Sequence, residues 1–226
     1  MWTLPLLAAA IALCFAVLLL RAYTRRRRPA QLLWAAALLM YAGASFALAL
    51  GVLDGWSVAE YRWYWALGAV LNVPYLAAGE LFLLVRERRV RLAALLLLAF
   101  GTAFALARVR TGTVDVVALG RELPRGSEAW AEDPFVLDLA RYYAFPAYFF
   151  LVGGTLWSAW RMRGRPELRD RFLGTLGIAI GATVIAAGSA FALAGQLAGF
   201  SATLAVGVAA MFWGFLRGGG RAERSG

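Results

Sequence analysis

The fold of this chain depends on how one short stretch behaves in a membrane. Residues 86–107 read RERRVRLAALLLLAFGTAFALA. The last 16 of these residues, Leu92–Ala107, carry no charge, but a helix that crosses the hydrocarbon core usually needs about 20 apolar residues. If this stretch crosses, the chain has seven spanning segments, and its arginine clusters lie in every second connection between them.

Six longer apolar segments lie on either side of this stretch. The chain has 226 residues and is 62% hydrophobic, so these segments occupy most of it and leave no room for a second domain. We predict an all-α integral membrane fold, a seven-helix bundle over residues 1–217, with a short basic cytoplasmic tail at residues 218–226. The predicted spans are residues 2–20, 31–51, 64–85, 92–107, 142–160, 172–195 and 198–216.

The distribution of arginine predicts the orientation of the bundle. The segments predicted to lie inside hold 17 arginines and four acidic residues, whereas the outer segments hold six arginines and eight acidic residues. Because arginine is retained on the cytoplasmic side of a membrane, we predict the N-terminus outside and the C-terminus in the cytoplasm. Without a crossing at Leu92–Ala107, the cluster from Arg161 to Arg171 would move outside and the asymmetry would be lost.

The first segment also has a competing interpretation as a secretory signal. A signal carries its positive charge before the apolar run, whereas here Arg21 and the run 25–28 follow it. That order favours a retained helix whose start lies outside.

Several cofactor classes are excluded by composition. The chain has no lysine and no histidine, and Cys14 is its single cysteine. The missing lysine excludes retinal in a Schiff base, and the missing histidine excludes haem or metal bound through imidazole. We expect no cofactor and no intrachain disulfide. The bias toward arginine, alanine, glycine and leucine is typical of a GC-rich genome, so we expect a multi-pass protein in the plasma membrane of a GC-rich prokaryote, a bacterial inner membrane.

The partners that we expect follow from where the positive charge lies. A formal charge of +10 is compatible with nucleic acid, but the arginines flank apolar segments instead of forming one patch. We therefore expect the lipid bilayer, with anionic headgroups at the arginine-rich inner loops, and no nucleic acid. A membrane-protein partner or a homo-oligomer is a further expectation.

A polar stripe on the third segment holds the main candidates for ligand binding. Gly68, Asn72, Tyr75 and Gly79 recur at helical spacing, so they share one face. Two neighbouring residues are added to this stripe. Glu80 is added because carboxylates inside a membrane are costly, and Pro74 because it leaves a carbonyl without its helical donor. In the alternative interpretation, the Asn72 amide forms a hydrogen bond to a neighbouring helix, and the Glu80 carboxylate reaches inner headgroups or an arginine. The candidate ligand residues are Asn72, Pro74, Tyr75 and Glu80, with Tyr41 and Tyr148 as weaker candidates.

Glycines line one face of each of the last two segments. Small residues at helical spacing let backbones approach closely in lipid, so we expect tight helix packing there. A ligand groove with a glycine floor is the alternative. The residues are Gly174, Gly177, Gly181 and Gly188 on the sixth segment, and Gly207 and Gly214 on the seventh.

Tryptophans near the predicted inner ends are expected to act as anchors. Indole rings favour the level of the headgroups, and Trp34 and Trp157 lie near the inner ends of the second and fifth segments. Of the outer connections, 108–141 is the longest. There, Asp133 and Pro134 predict an N-cap followed by proline in the first helical position.

An internal echo predicts two similar halves around the fourth segment. Residues 42–48, AGASFAL, resemble residues 187–193, AGSAFAL. Parallel three-helix repeats joined by an inverting helix occur in membrane transporters. We therefore predict a 3+1+3 pseudo-repeat, with chance similarity between apolar tracts as the alternative.

In outline the chain resembles three groups of seven-helix proteins: microbial rhodopsins, G-protein-coupled receptors and the SWEET sugar transporters. The lysine that rhodopsins need is missing, and Arg86-Glu87-Arg88 does not match the receptor signature at the end of helix 3. Pro5 and Pro146 match sugar-transporter prolines in helices 1 and 5, whereas helices 2 and 6 have no internal proline. The resemblance covers topology, and no family follows from it.

The function that we predict is not enzymatic. We expect a transporter-like or receptor-like bundle that binds or transports a small neutral or lipid-like molecule. The alternative is an accessory or sensory subunit that acts through protein partners. An enzyme ranks third, because without histidine or lysine it would depend on carboxylates, and no two are suitably placed.

Overall fold

The chain forms an all-helical bundle. A computed structural model describes residues 2–219, of which 86% are helical and none lies in a strand. Within this range, seven helices are long and apolar enough to cross a membrane, so this is a multi-pass membrane protein. They are α1 (Thr3–Arg26), α2 (Pro29–Asp54), α3 (Val58–Leu84), α4 (Arg88–Thr111), α5 (Pro134–Met162), α6 (Arg169–Leu193) and α7 (Leu197–Gly219).

Each long helix contains most of one predicted span and usually extends beyond it. The extension that matters most for the fold is that of α4, which has 24 residues where only 16 are uncharged. Arginine is a good helix former and can extend its charged head toward water, so the helix continues through the arginines on both sides of the apolar stretch. The predicted tail begins within α7, and residues 220–226 lie outside the described residues.

Six of the helices form a closed ring, and the remaining helix lies outside it. The contacts run α1–α2–α3–α5–α6–α7 and return to α1, while α4 packs against α3 and only lightly against α5. Between α1 and α7 the ring is closed by Phe15, whose ring centroid lies 5.3 Å from that of Phe212 and 5.0 Å from that of Phe215.

The connections gather at two ends of the bundle. We call the end with connections 27–28, 85–87 and 163–168 the arginine end, and the other the loop end. At the loop end, side chains join different connections: Trp56 Nε1 donates to Glu122 O at 3.1 Å, and Arg125 donates to Ala194 O at 3.0 Å.

The connection between α4 and α5 folds back over the loop end. It contains a 3-10 turn, Ala118–Gly120, and one helical turn, Gly126–Ala129. The prediction at its end is only half right. Asp133 does hold the N-cap position and Pro134 begins α5, but the carboxylate makes no capping bond. It pairs instead with Arg108 on α4 at 3.2 Å.

Glycine allows α6 and α7 to meet backbone to backbone. A Cβ on Gly181 would collide with Gly207 O, and one on Gly174 would lie 2.5 Å from Gly214 O. Further along, a Cβ on Gly177 would lie 3.0 Å from the Cα of Gly214. A Cβ on Gly188, the last predicted glycine of α6, would collide with Thr203. The six predicted packing glycines therefore all lie at this contact.

Candidate functional site

Apart from Glu80, the polar candidates do not converge on one cavity. These four residues are Tyr41, Asn72, Tyr75 and Tyr148. Each makes a hydrogen bond to a different neighbouring helix, because hydrocarbon leaves a polar group no water to bond. Those bonds fasten pairs of helices together. They are Tyr41 Oη to Leu204 O (2.8 Å), Asn72 Nδ2 to Ala37 O (2.9 Å), Tyr75 Oη with Thr102 Oγ1 (3.2 Å) and Tyr148 Oη to Thr183 Oγ1 (3.3 Å).

Pro74 acts on the shape of α3. A π-helical turn, Trp65–Leu71, precedes it. In a regular α-helix the proline ring would clash with the carbonyl of Val70, four residues earlier, and could donate no hydrogen bond to it. The wider π-helical turn changes the path of the backbone just before the proline. Such turns inside α-helices are often found at functional sites.

The carboxylate of Glu80 lies inside the bundle, at the contact between α3 and α5. Its residue is only 2% exposed. Opposite it is Gly154, where a Cβ would lie 3.0 Å from Glu80 Cγ and 3.3 Å from Oε1. The alternative in which this carboxylate reaches headgroups or an arginine is wrong, because the side chain is enclosed and forms no ion pair within residues 2–219.

Trp34 has a role that sequence reasoning missed. Instead of serving only as an anchor near the headgroups, its indole fills the notch over Gly79 on α3, where any Cβ would collide with it. The indole Nε1 donates to Leu76 O at 3.0 Å. The signal in the sequence was the glycine of the polar stripe, which marks a close approach rather than a ligand contact.

A small closed cavity lies in the middle of the ring. Its volume is about 10 Å³, which is roughly the space of one water-sized probe. The lining offers no polar side chain other than an indole that is already bonded. The residues that surround it are Phe15, Trp34, Leu38, Leu76, Leu151, Ile178 and Met211.

A much larger cavity opens at the arginine end, between the ends of α3 and α5. Its volume is about 520 Å³, and it is an open groove at the surface of the bundle rather than an enclosed pocket. We call it the α3–α5 groove. It combines three guanidinium groups and a hydroxyl with an apolar wall. The lining residues are Leu83, Leu84, Arg86, Trp157, Ser158, Arg161, Met162 and Arg165.

The two helices that border the groove end in different ways. At the end of α3, Arg91 donates to Val85 O at 2.7 Å and to Phe82 O at 2.8 Å, and its guanidinium lies over the Phe82 ring. These bonds satisfy carbonyls that the helix end leaves unpaired. After α5, the left-handed turn at Gly164, with φ of 78°, reverses the chain before Arg165.

The two cavities lie on opposite sides of Glu80. Leu76, one turn earlier on α3, lines the closed cavity, and Leu84, one turn later, lines the groove. Because Gly154 has no side chain, α3 and α5 approach each other closely at this point. A Cβ there would also lie 2.9 Å from Leu84 Cδ1. The contact between Glu80 and Gly154 therefore lies between the closed cavity and the groove along α3 and α5.

The chemistry that this arrangement offers is anion recognition. Guanidinium groups bind phosphate and carboxylate through paired N–H donors. Within the described part of the chain, no three carboxylates or thiols come close enough to hold a metal ion. Comparison with protein-family models, with curated proteins and with solved structures finds no match to this chain, so the outline that it shares with other seven-helix proteins rests on helix number and charge alone.

Proposed function

We propose that this chain is a non-enzymatic membrane protein that binds a lipid-like molecule in the α3–α5 groove. One observation carries the proposal: an open groove of about 520 Å³ is lined by three arginines together with leucine, methionine and tryptophan. A ligand that satisfies both parts needs a polar or anionic head and an apolar tail. A lipid already present in the membrane meets that description.

The centre of the bundle supports a small diffusing substrate less well. The closed cavity holds about 10 Å³, which is roughly one water. Tyr41 and Asn72 are buried and already bonded to α7 and α2. Binding at the groove, or movement of a lipid along it, is therefore favoured over passage of a small neutral molecule between the helices.

The orientation is part of the proposal. We place the arginine end in the cytoplasm of a bacterial cell, because its connections hold most of the arginines. The groove then opens at the level of the inner-leaflet headgroups. Tags at the two chain ends, tested for protease accessibility in intact cells, should lie in different compartments. Both ends on one side of the membrane would contradict this part.

A 3+1+3 pseudo-repeat is also proposed. The ring places α1–α2–α3 and α5–α6–α7 as two uninterrupted arcs, and α4 stands outside them. Gly43 and Gly188, which correspond in the two similar heptapeptides, each face the last helix of their own half. A Cβ would lie 3.2 Å from Leu67 at the first position and would collide with Thr203 at the second.

Photo-crosslinking tests the proposed binding. The full chain is reconstituted in nanodiscs that contain a phospholipid with a diazirine in its acyl chain, irradiated and mapped by peptide mass spectrometry. We expect adducts on the peptide that holds Leu83 and Leu84 and on the one that holds Trp157. Ser158→Trp, which fills the groove, should abolish these adducts.

The matched control is Gly153→Trp on the same helix, because nothing lies within 4 Å of a Cβ at that position. It should leave the adducts unchanged. Equal labelling of the chain with Ser158→Trp, or no labelling of either peptide in the unchanged chain, would contradict the proposed site.

The exposed face of α4 supports the second candidate function, an accessory or sensory subunit. Leu97 is 72% exposed and Phe100 is 70% exposed, so this helix offers its apolar side to lipid or to another membrane protein. Purification in a mild detergent distinguishes the candidates. A partner recovered in fixed proportion, and lost with Leu97→Ala and Phe100→Ala together, would favour the subunit.

A further inference from the structure

We propose that the α3–α5 groove selects lipids whose head is a terminal phosphate, a phosphomonoester, over lipids with a phosphodiester or a zwitterionic head. This inference rests on the proposed lipid binding and adds the class of headgroup. It follows from the charges around the groove and from what already neutralises them.

The guanidinium groups of the groove are available to a ligand. Arg86, Arg161 and Arg165 are all exposed, and none forms a side-chain hydrogen bond or an ion pair with the rest of the described chain. The hydroxyl of Ser158 adds one more donor to the lining. No carboxylate of residues 2–219 lines the groove.

The acidic side chains on the same connections either form a hydrogen bond elsewhere or do not line the groove. Glu87 caps the start of α4 by accepting from the backbone N–H of Arg89, and Glu167 is exposed outside the lining residues. Glu80 is enclosed behind the contact with Gly154. Among the residues that the structure describes, the ligand therefore meets three positive charges without a competing carboxylate in the groove.

Two helix ends lower this charge. Both α3 and α5 end at the arginine end, and a helix C-terminus is equivalent to roughly half a negative charge. Two such ends leave an effective charge of about +2 at the groove. The negative contribution of α3 is smaller than this, because Arg91 already bonds its last carbonyls. The N-termini of α4 and α6 also begin at this end and carry the opposite sign, so the remaining charge is at least about +2.

A single phosphomonoester matches this charge at one point. It carries about −1.5 to −2 near neutral pH and has three terminal oxygens that can accept from guanidinium groups. A phosphodiester headgroup carries one negative charge, and a zwitterionic head brings a cation toward the arginines. The apolar wall of Leu83, Leu84 and Met162 holds the tail, which a free phosphate lacks.

A competition experiment tests the selection. The full chain in detergent is crosslinked to a photoactivatable phosphatidic acid, and unlabelled lipids compete for the site. We expect phosphatidic acid to displace the probe at a concentration at least about tenfold lower than phosphatidylglycerol or cardiolipin. Phosphatidylcholine and glycerol 3-phosphate should not displace it over the same range.

Arginine variants connect that preference to the groove. If each arginine near a headgroup contributes about fivefold to affinity, Arg86→Gln, Arg161→Gln and Arg165→Gln together should weaken labelling about 100-fold. The matched control changes three exposed arginines of the same end that do not line the groove, Arg28→Gln, Arg88→Gln and Arg171→Gln. It removes the same charge and should change labelling by no more than about twofold.

Each contrary result has a separate meaning. Equal displacement by phosphatidylglycerol or cardiolipin would overturn the phosphomonoester preference and leave lipid binding in place. Displacement by glycerol 3-phosphate would show that the tail is not needed and that a soluble phosphate is the ligand. An equal loss of labelling in the control variant would show that the effect comes from the general positive charge of the arginine end and not from the groove. Absence of labelling of the groove by every lipid probe would contradict the proposed function itself.

Discussion

The α6–α7 contact and the α3–α5 contact show two ways in which neighbouring apolar helices can meet. At α6–α7, glycine brings backbone against backbone, and the position of a Gly174 Cβ lies 2.8 Å from the backbone nitrogen of Gly218. At α3–α5, one glycine faces the side chains of Glu80 and Leu84, and beyond it an open groove of about 520 Å³ lies between the helix ends. The size of the facing residues decides whether a pair of helices leaves room for a ligand.

The difference has a physical cause in the absence of a hydrophobic driving force between helices in lipid. Helices associate there through van der Waals contact and hydrogen bonds, so small residues strengthen a contact by allowing a close approach. At the arginine end of α3–α5, the lining residues are mostly large and include three arginines, and an open groove lies between the helix ends. A tight contact thus supports the fold, and a loose one leaves a place for binding.

The largest effect is expected from Gly181→Leu, which tests the tight contact. The new side chain would collide with Gly207 O and with Met211, and backbone atoms cannot move aside without separating the helices. Overpacking commonly costs about 1–3 kcal/mol, and we expect the upper end of that range or more. Thermal unfolding of the purified chain in detergent measures the loss.

Gly153→Leu is the control for that change, because a Cβ there meets open space. It should unfold at or above the temperature of the unchanged chain, since replacing glycine in a helix interior is worth about 0.5–1 kcal/mol. Equal unfolding temperatures for the two leucine variants would show that close packing of α6 against α7 does not depend on glycine.

Gly154→Ala tests the loose contact and should cost less than Gly181→Ala. Its new Cβ would lie 2.9 Å from Leu84 Cδ1 and 3.0 Å from Glu80 Cγ, and these are side-chain atoms that can shift. We expect a loss below about 1.5 kcal/mol. The same unfolding assay compares the two alanine variants, and a larger loss at Gly154 would reverse the proposed order of the contacts.

Asn72→Leu should have a smaller effect and should separate structure from binding. It removes the hydrogen bond to Ala37 O, and interhelical bonds of this kind average about 0.6 kcal/mol, with a maximum near 1.7. Because Asn72 does not line the groove, lipid labelling should stay within about twofold of the unchanged chain. A large loss of labelling with normal unfolding would return Asn72 to the binding site.

Much of the fold could be predicted because hydropathy and charge are local properties. The asymmetry of arginine between the connections, and above all the cluster from Arg161 to Arg171, indicated a fourth crossing that the short apolar length left open, and α4 has 24 residues in the structure. The glycines of α6 and α7 were identified by spacing alone. By contrast, the sequence gives no sign of which helix a polar group will face, so Tyr41, Asn72 and Tyr148 were grouped as ligand contacts although they bond three different helices.

The groove could not be predicted for a related reason. Its two walls come from residues such as Leu84 and Trp157, which are distant in the sequence and carry no shared motif. The arginines were interpreted as general membrane anchors, which explains their number but not their meeting at one cavity. Glu80 was recognised as unusual, but its enclosure depends on Gly154, a residue of another helix.

A density map of the full chain in nanodiscs of bacterial lipid tests the central claim most directly. We predict lipid density between the ends of α3 and α5, with its head beside Arg161 and its tail against Leu84, and no density between α6 and α7. Direct packing of Trp157 against the end of α3, with no space for a lipid between them, would contradict it.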